Sequence, residues 1–318
     1  MPQGSVLGPL LFLLYTTDVP LIAQAHNLGV HCYADDGQIY VHDRAMAADT
    51  LVSRVSDCIS EIDLWMSSNR LKLNGSKTQF IWLGSWQQLR KINVDRITLG
   101  SSEILVQSTV NDLGVRIDRL FSMKNHVGHI CQSAYYQLRQ LRVVQKSLSF
   151  EACKALVHAF VSSRLDYCNS LLHGIGETQL SLLQSVLRAA ARLVMRKRKY
   201  DSISNDIRDH LHWLPVRQRI TFKICLFVYH CLHSTAPAYL SEMLTTASSI
   251  GARRTLRGAR PEFVIPRSKT ILFGPRSFSI SGPTLWNALP LEIRDPSLSL
   301  GVFKAKLKTF LFTSAYTT

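Results

Sequence analysis

The chain has 318 residues, 46% of them apolar and 19% charged, with a formal net charge of +15. This composition excludes a disordered polar chain, allows one large domain or two to three small ones, and points to a polyanionic partner. The charge is uneven: residues 1–84 carry 5 Lys/Arg against 8 Asp/Glu, whereas residues 85–318 carry 32 against 14.

The chain begins with a turn, Pro2-Gln3-Gly4-Ser5, in which Ser5 is a helix N-cap candidate. The helix after it runs to about Thr17 and is apolar nearly all round, so it is expected to be buried, with Asp18-Val19-Pro20 ending it. Val6–Tyr15 has the look of a signal-peptide core, and Ala23-Gln24-Ala25 that of a cleavage site. No Lys or Arg precedes Arg44, and Pro9 and Asp18 fit poorly, so the stretch reads as a core helix and not as a signal. No apolar run reaches the roughly 18 residues of a membrane span.

The run His31-Cys32-Tyr33-Ala34-Asp35-Asp36-Gly37-Gln38-Ile39-Tyr40-Val41 reads as two short strands, with Gly37 expected to supply the turn. At a tight hairpin two adjacent carboxylates can reach one spot at the tip, where they repel unless a cation lies between them. Mg²⁺ suits such a place, because it takes one or two carboxylates and fills its other positions with water and phosphate oxygens. The residues alone leave two readings: an ordinary Asp-Gly turn or a metal site.

From Ala45 to about Ser68, Leu51, Val55, Cys58, Ile59, Ile62, Trp65 and Met66 recur at helical spacing and predict an amphipathic helix. Leu71-Lys72-Leu73-Asn74, Gly75-Ser76 and Lys77–Gly84 read as paired strands around a turn, and 92–118 as further short strands including Leu113–Ile117. Beyond about residue 122 the pattern turns helical, over 123–146, 150–173, 178–197 and 216–233. Arg188 and Arg192 extend, by helical spacing, the basic run Arg196, Lys197, Arg198 and Lys199. That run is either a nucleic-acid contact or nuclear localisation signal, or a set of cations favourably placed at a helix C-terminus. A basic linker at 246–261 holds Arg253, Arg254, Arg257 and Arg260. Extended pieces over 262–281, a turn at Trp286-Asn287-Ala288-Leu289-Pro290 and a last helix near 300–313 complete the chain.

The seven cysteines are scattered, odd in number and free of CxxC pairs, which favours a reducing interior compartment over a disulfide framework. Cys225, His230, Cys231 and His233 cluster, but inside an apolar helical run with no second pair at zinc-finger spacing, so no structural zinc is expected.

Pro2-Gln3-Gly4-Ser5-Val6-Leu7-Gly8-Pro9-Leu10-Leu11-Phe12, then Tyr33-Ala34-Asp35-Asp36, then Asn69–Asn74 with Lys77-Thr78, then Phe80–Gly84 form an ordered series. In order and spacing it resembles the palm motifs of reverse transcriptases from LINE-type (non-LTR) retrotransposons. Leu165-Asp166-Tyr167-Cys168-Asn169-Ser170-Leu171-Leu172 and Gly282-Pro283-Thr284-Leu285-Trp286-Asn287-Ala288-Leu289-Pro290 are similar to the region downstream of the polymerase in these elements.

The resemblance implies RNA-templated DNA synthesis assisted by Mg²⁺ or Mn²⁺, with RNA template, DNA primer and deoxynucleotides as partners. It implies Asp35 and Asp36 as catalytic metal ligands, and Gln3, Gly4 and Tyr33 at the template base and incoming nucleotide. Lys77 would lie at the departing pyrophosphate, although a lone lysine is ordinarily a solvated surface group. Leu83 and Gly84 would grip the primer end. In this family a third catalytic aspartate lies upstream of the Pro-Gln-Gly turn, and only Met1 precedes that turn here. The expectation is therefore a partial polymerase, inactive alone. The alternative is a non-enzymatic basic nucleic-acid-binding protein derived from a retroelement. The implied fold is α+β. A truncated palm of antiparallel sheet with helices (1–120) precedes a mainly helical thumb-like, nucleic-acid-binding region (121–245) and a basic linker with a small mixed tail (246–318). Location would be intracellular, cytoplasmic and/or nuclear.

Overall fold

In a computed structural model of the chain, which describes residues 6–99, 102–246, 262–268 and 270–316, helices and small antiparallel sheets give an α+β fold. The chain divides into two compact units between Asn125 and His126. No helix among the described residues is long and apolar enough to cross a membrane.

The first unit opens with α1 (Gly8–Tyr15) and α2 (Asp18–Ala25). The expectation that the first helix is buried is corrected: Leu14 is 72% exposed and Leu10 59%, and α1 contributes no buried residue. A helix that is apolar all round carries no stripe to say which side packs. Its visible anchor is Tyr15, whose hydroxyl donates to the Asn69 carbonyl at 2.7 Å and whose ring tilts against Trp65. Asp18-Val19-Pro20 does not end a helix either; it begins α2. Proline in the first turn loses nothing, because the N–H groups there have no intrahelical acceptor, and Asp18 favours a helix N-terminus.

Next come β1 (Gly29–Tyr33), β2 (Asp36–Tyr40) and α3 (Ala48–Ser68), the helix that the periodicity predicted. Its inner face buries Leu51, Cys58 and Ile62. Cys58 and Ile62 meet Ala23 of α2 and Leu28, with Val30 and Ile39 of the hairpin packed against them. A one-turn α4 (Trp86–Leu89) precedes two more hairpins, β3 (Arg96–Leu99) with β4 (Ser102–Leu105), and β5 (Thr109–Asp112) with β6 (Val115–Asp118). In the second, Leu113 (φ 44°) and Gly114 (φ 82°) both take positive φ, the type I′ pattern that matches strand twist, so Leu113-Gly114 is turn and not strand.

The expected pairing of 71–74 with 77–84 does not form. Asn74 instead closes a side-chain turn, accepting on its amide oxygen from the Ser76 hydroxyl at 2.7 Å and on its carbonyl from Lys77 and Thr78 N–H, each at 3.1 Å. The alternating apolar residues are still used. Leu73 and Phe80 pack on Ile97 and Ile104, and Phe80 bridges Val106 in parallel. The expected single antiparallel sheet is, among the described residues, three separate two-stranded sheets.

The second unit is helical: α5 (Lys124–Val144), α6 (Phe150–Val157), α7 (Ser163–Asp166), α8 (Glu177–Val194), α9 (Ser204–Asp206), α10 (Val216–Leu232), α11 (Ala238–Ser241), α12 (Phe278–Asn287) and α13 (Leu300–Tyr316). Between α6 and α7 the chain passes through one wider helical turn, His158–Ser162. At Cys168 a positive φ of 48° stops it, and Asn169–Leu172 forms a tight turn of its own. Here the Leu165–Leu172 motif proves structural. Leu165 and Leu172 are buried, and Asp166 accepts from the Arg219 guanidinium of α10 at 2.7 Å.

The tail corrects a further expectation, since 278–287 is helix and only Ala288-Leu289 turns. Gly282 and Pro283 lie inside α12, and a Cβ on Gly282 would meet a Val228 methyl of α10 at 3.1 Å, so glycine serves close helix approach. The basic linker at 247–261 lies outside the described residues.

Arg276 ties this tail to the 169–172 turn, donating to the carbonyls of His173 at 3.1 Å and Leu171 at 3.3 Å. Burial, and then the nearby Arg276 and Arg217, lower the His173 pKa below its ordinary value of 6.5. The folded chain therefore binds fewer protons here than the unfolded chain, and stability falls as pH drops through about 6.5. Thermal melts between about pH 7.5 and 5.5 are expected to show a decline on acidification that His173→Gln flattens. An unchanged slope in the variant assigns the decline elsewhere.

Candidate active site and basic surface

The Tyr33-Ala34-Asp35-Asp36 stretch forms the tip of the β1–β2 hairpin. Tyr33 pairs with Asp36 in the ladder, so the two-residue loop is Ala34-Asp35. Gly37 is not the turn: it pairs with Cys32 inside the strand, and the positive φ (54°) falls on Ala34. That is a conformation glycine adopts without cost and alanine does not, and backbone strain of this kind gathers at functional tips. Asp35 stands on the loop and Asp36 on the first ladder position, both exposed, with Tyr33 69% exposed beside them. Below the tip the Gln38 side chain donates to the Asp112 carboxylate, holding this hairpin to the β5–β6 hairpin.

The other expected residues are dispersed. Gln3 and Gly4 lie outside the described residues. Lys77 is exposed on the Asn74 turn, and no hydrogen bond or ion pair among the described residues joins it to Asp35 or Asp36. Leu83 is 53% exposed, while the Gly84 N–H donates to the Arg119 carbonyl at 3.1 Å, just past β6. Among the described residues no group of three or more His, Cys, Asp or Glu could hold a metal ion. Two exposed carboxylates at one tip still fit a hard cation that keeps most of its waters.

In the second unit the six expected cations separate by use. Arg196 donates to the Leu148 carbonyl at 2.7 Å, and Lys197 pairs with the buried Asp206 and donates to the Ser202 carbonyl at 3.1 Å. The Arg198 N–H donates to Asp201 at 2.7 Å. These contacts close the helix C-terminus. Arg192 donates to the Asp201 carbonyl at 3.0 Å, Lys199 lies over the Tyr200 ring, and Arg188 is exposed.

Cys225, His230, Cys231 and His233 are each engaged otherwise. Cys225 is buried, which pushes its thiol up to about 12. Burial also raises the Cys231 thiol. His230 meets the Thr235 hydroxyl at 2.7 Å. His233 stacks on Tyr229 at 3.8 Å with its ring nitrogens on the Tyr229 and Pro296 carbonyls.

Residues 1–117 match the family described as "Reverse transcriptase (RNA-dependent DNA polymerase)". The RNA-directed DNA polymerase from mobile element jockey of Drosophila melanogaster is 22% identical over 138 residues, covering 42% of this chain and 14% of that protein. The chain thus spans only a small part of that relative's length. No solved structure matches. The match takes in the whole acid hairpin and the loop that carries Lys77, Leu83 and Gly84. Residues 1–117 are thus similar to a reverse transcriptase domain, and that relative is the polymerase of a LINE-type, non-LTR retrotransposon.

Proposed function

We propose that the first unit is part of a polymerase palm and that Asp35 and Asp36 hold divalent metal for RNA-templated DNA synthesis. The observation that carries this reading is the exposed acid pair on a strained two-residue loop, inside the segment that matches the reverse transcriptase family. Mg²⁺ or Mn²⁺ bound there would activate the primer hydroxyl and neutralise the leaving pyrophosphate. Tyr33 offers an exposed ring to the nucleotide or template. Lys77 supplies a mobile positive charge, suited to neutralising or protonating pyrophosphate. Leu83 and Gly84 face the primer end, and Gln3 and Gly4 take the template base. The helical second unit acts as the thumb, in a protein that works inside the cell, in cytoplasm or nucleus.

Two carboxylates do not balance two divalent ions, and the described residues supply no third acid to this group. A centre missing one carboxylate loses most of its rate, because the ligand positions both nucleophile and leaving group. Primer extension on an RNA template with Mg²⁺ or Mn²⁺ is expected to be absent for this chain alone. Mn²⁺ added at low concentration is expected to broaden the amide resonances of Tyr33–Gly37 selectively, and Asp35→Ala with Asp36→Ala to abolish that effect. Extension that disappears in Asp35→Ala overturns the incompleteness. Broadening that ignores the substitutions overturns the metal site.

A further inference from the structure

The second unit contains a groove, about 380 Å³ in volume, between α5, α8 and the loop after α8, and its lining holds five cations and no carboxylate. Arg139 and Arg142 come from α5, Arg188 and Arg192 from α8, and Lys199 from the loop. The two helices face each other through equivalent stripes: positions 135, 139 and 142 on one, and 185, 188 and 192 on the other, each at helical spacing. Ser185 and Ala189 place small side chains between the cations of the α8 side.

Two tyrosines complete the lining. Tyr200 is 87% exposed, with the Lys199 ammonium 5.2 Å from its ring centre. Tyr135 is 37% exposed, and its phenol pKa lies above the ordinary value, chiefly through burial, with the Arg192 charge acting against the rise. Arg139, Arg142 and Arg188 form no ion pair among the described residues. Clustering five cations without a counter-charge destabilises a folded chain unless a polyanion occupies the groove.

We infer that this groove is a binding site for single-stranded nucleic acid, its arginines on successive phosphates and its tyrosines stacked on bases. The inference rests on the nucleic-acid reading of the second unit and is independent of catalysis at Asp35. A single strand fits because the groove carries cations on both walls and offers exposed rings to unpaired bases. A duplex keeps its bases stacked inside and would touch only the rim. Three of the six cations expected from sequence (Arg188, Arg192 and Lys199) belong to the groove. Arg139, Arg142, Tyr135 and Tyr200 are added by the structure.

The test is fluorescence anisotropy of the full chain with labelled single-stranded RNA, single-stranded DNA, duplex RNA of equal length, and heparin as a polyanion without bases. Single strands are expected to bind more tightly than the duplex. Arg142→Gln with Arg188→Gln should weaken single-strand binding by about tenfold or more and lower the salt slope by roughly 1.4, at about 0.7 per phosphate contact. Tyr200→Ala should weaken single strands by about fivefold and leave heparin unchanged, since heparin offers nothing to stack. Lys306→Gln, an exposed cation on α13, is the control and should change affinity less than twofold. All these side chains are exposed, so circular dichroism should be unchanged. The relative affinity of the RNA and DNA strands tells which the site prefers. If the parent binds single strands and the double variant binds equally well, the groove is wrong and the nucleic-acid reading stands. If the parent binds none of the oligonucleotides, both fail. Equal binding of the duplex, or a loss in Lys306→Gln matching that of the groove variant, also overturns the groove.

Discussion

Replacing Asp118 with alanine is expected to destabilise the first unit by about 3 kcal/mol, a fall of roughly 10 °C in its melting temperature. Asp118 ends β6 and is only 8% exposed. Its carboxylate accepts from the Leu120 and Ser122 N–H groups at 3.2 and 2.9 Å, from Met123 N–H at 2.8 Å, and from the Ser122 hydroxyl at 3.1 Å. These bonds hold a turn in which Phe121 (φ 50°) and Met123 (φ 62°) both take the left-handed backbone that bulky residues avoid. Met123 is fully buried, so its amide would have no water to turn to. Alanine would remove every acceptor at once while the strained turn still costs energy. Asparagine keeps one carbonyl oxygen and should cost about half as much. Urea melts followed by circular dichroism give the stability change, and amide exchange at Ser122 and Met123 locates it. A loss under about 1 kcal/mol would show that the turn is held by its packing.

How much of this could be read from the residues depends on what each element answers to. Helices α3, α5, α8, α10 and α13 follow from apolar spacing, because each buries one face and the 3.6-residue period survives in the sequence. Pro20 misled because proline reads as a break. Pro20 sits in a first turn where no donor is required, and Pro283 inside a helix whose neighbours pack closely enough to hold it. The alternation over 71–84 was real, but Leu73 and Phe80 meet another hairpin in place of each other. Alternation reports a face to be buried, not the partner that buries it.

The site shows the same limits. The hairpin with Asp35 and Asp36 at its tip was legible from two short runs around a turn, while the identity of the turn residue was not. Gly37 looked the better candidate for positive φ, and the ladder register gave it to Ala34. The groove could not be found from the chain alone. Arg142 and Arg188 stand 46 positions apart, and each reads as one more solvated cation until the helix packing sets them on opposite walls. The basic run at 196–199 shows the converse, since the side chains of Arg196 and Lys197 turn out to bond the chain itself.

The second large effect concerns the Gly282–Pro290 motif, which resembles the region downstream of the polymerase and places Trp286 and Leu289 in the core. Trp286→Ala is expected to cost the second unit about 4 kcal/mol. Trp286 is 1% exposed, edge-on to Phe263 at 6.4 Å and tilted against Phe303 at 5.7 Å, and Phe303 stacks on Tyr229 of α10 at 4.5 Å. One indole thus joins α12, α13, α10 and the 263 segment in a single cluster with Leu289 and Leu307. The neighbouring Asn287 fixes the same segment, donating to the Phe263 carbonyl at 2.8 Å and accepting its N–H at 3.1 Å. Truncation leaves a large cavity lined by rigid rings, which collapse poorly, so the loss should exceed simple transfer of the side chain. Leu291→Ala, 43% exposed just beyond the motif, should stay within about 0.5 kcal/mol. Urea melts of the two variants decide the point. Equal small losses would overturn this structural role, whereas a loss confined to Trp286→Ala, with oligonucleotide binding kept under native conditions, assigns the motif to holding the second unit together.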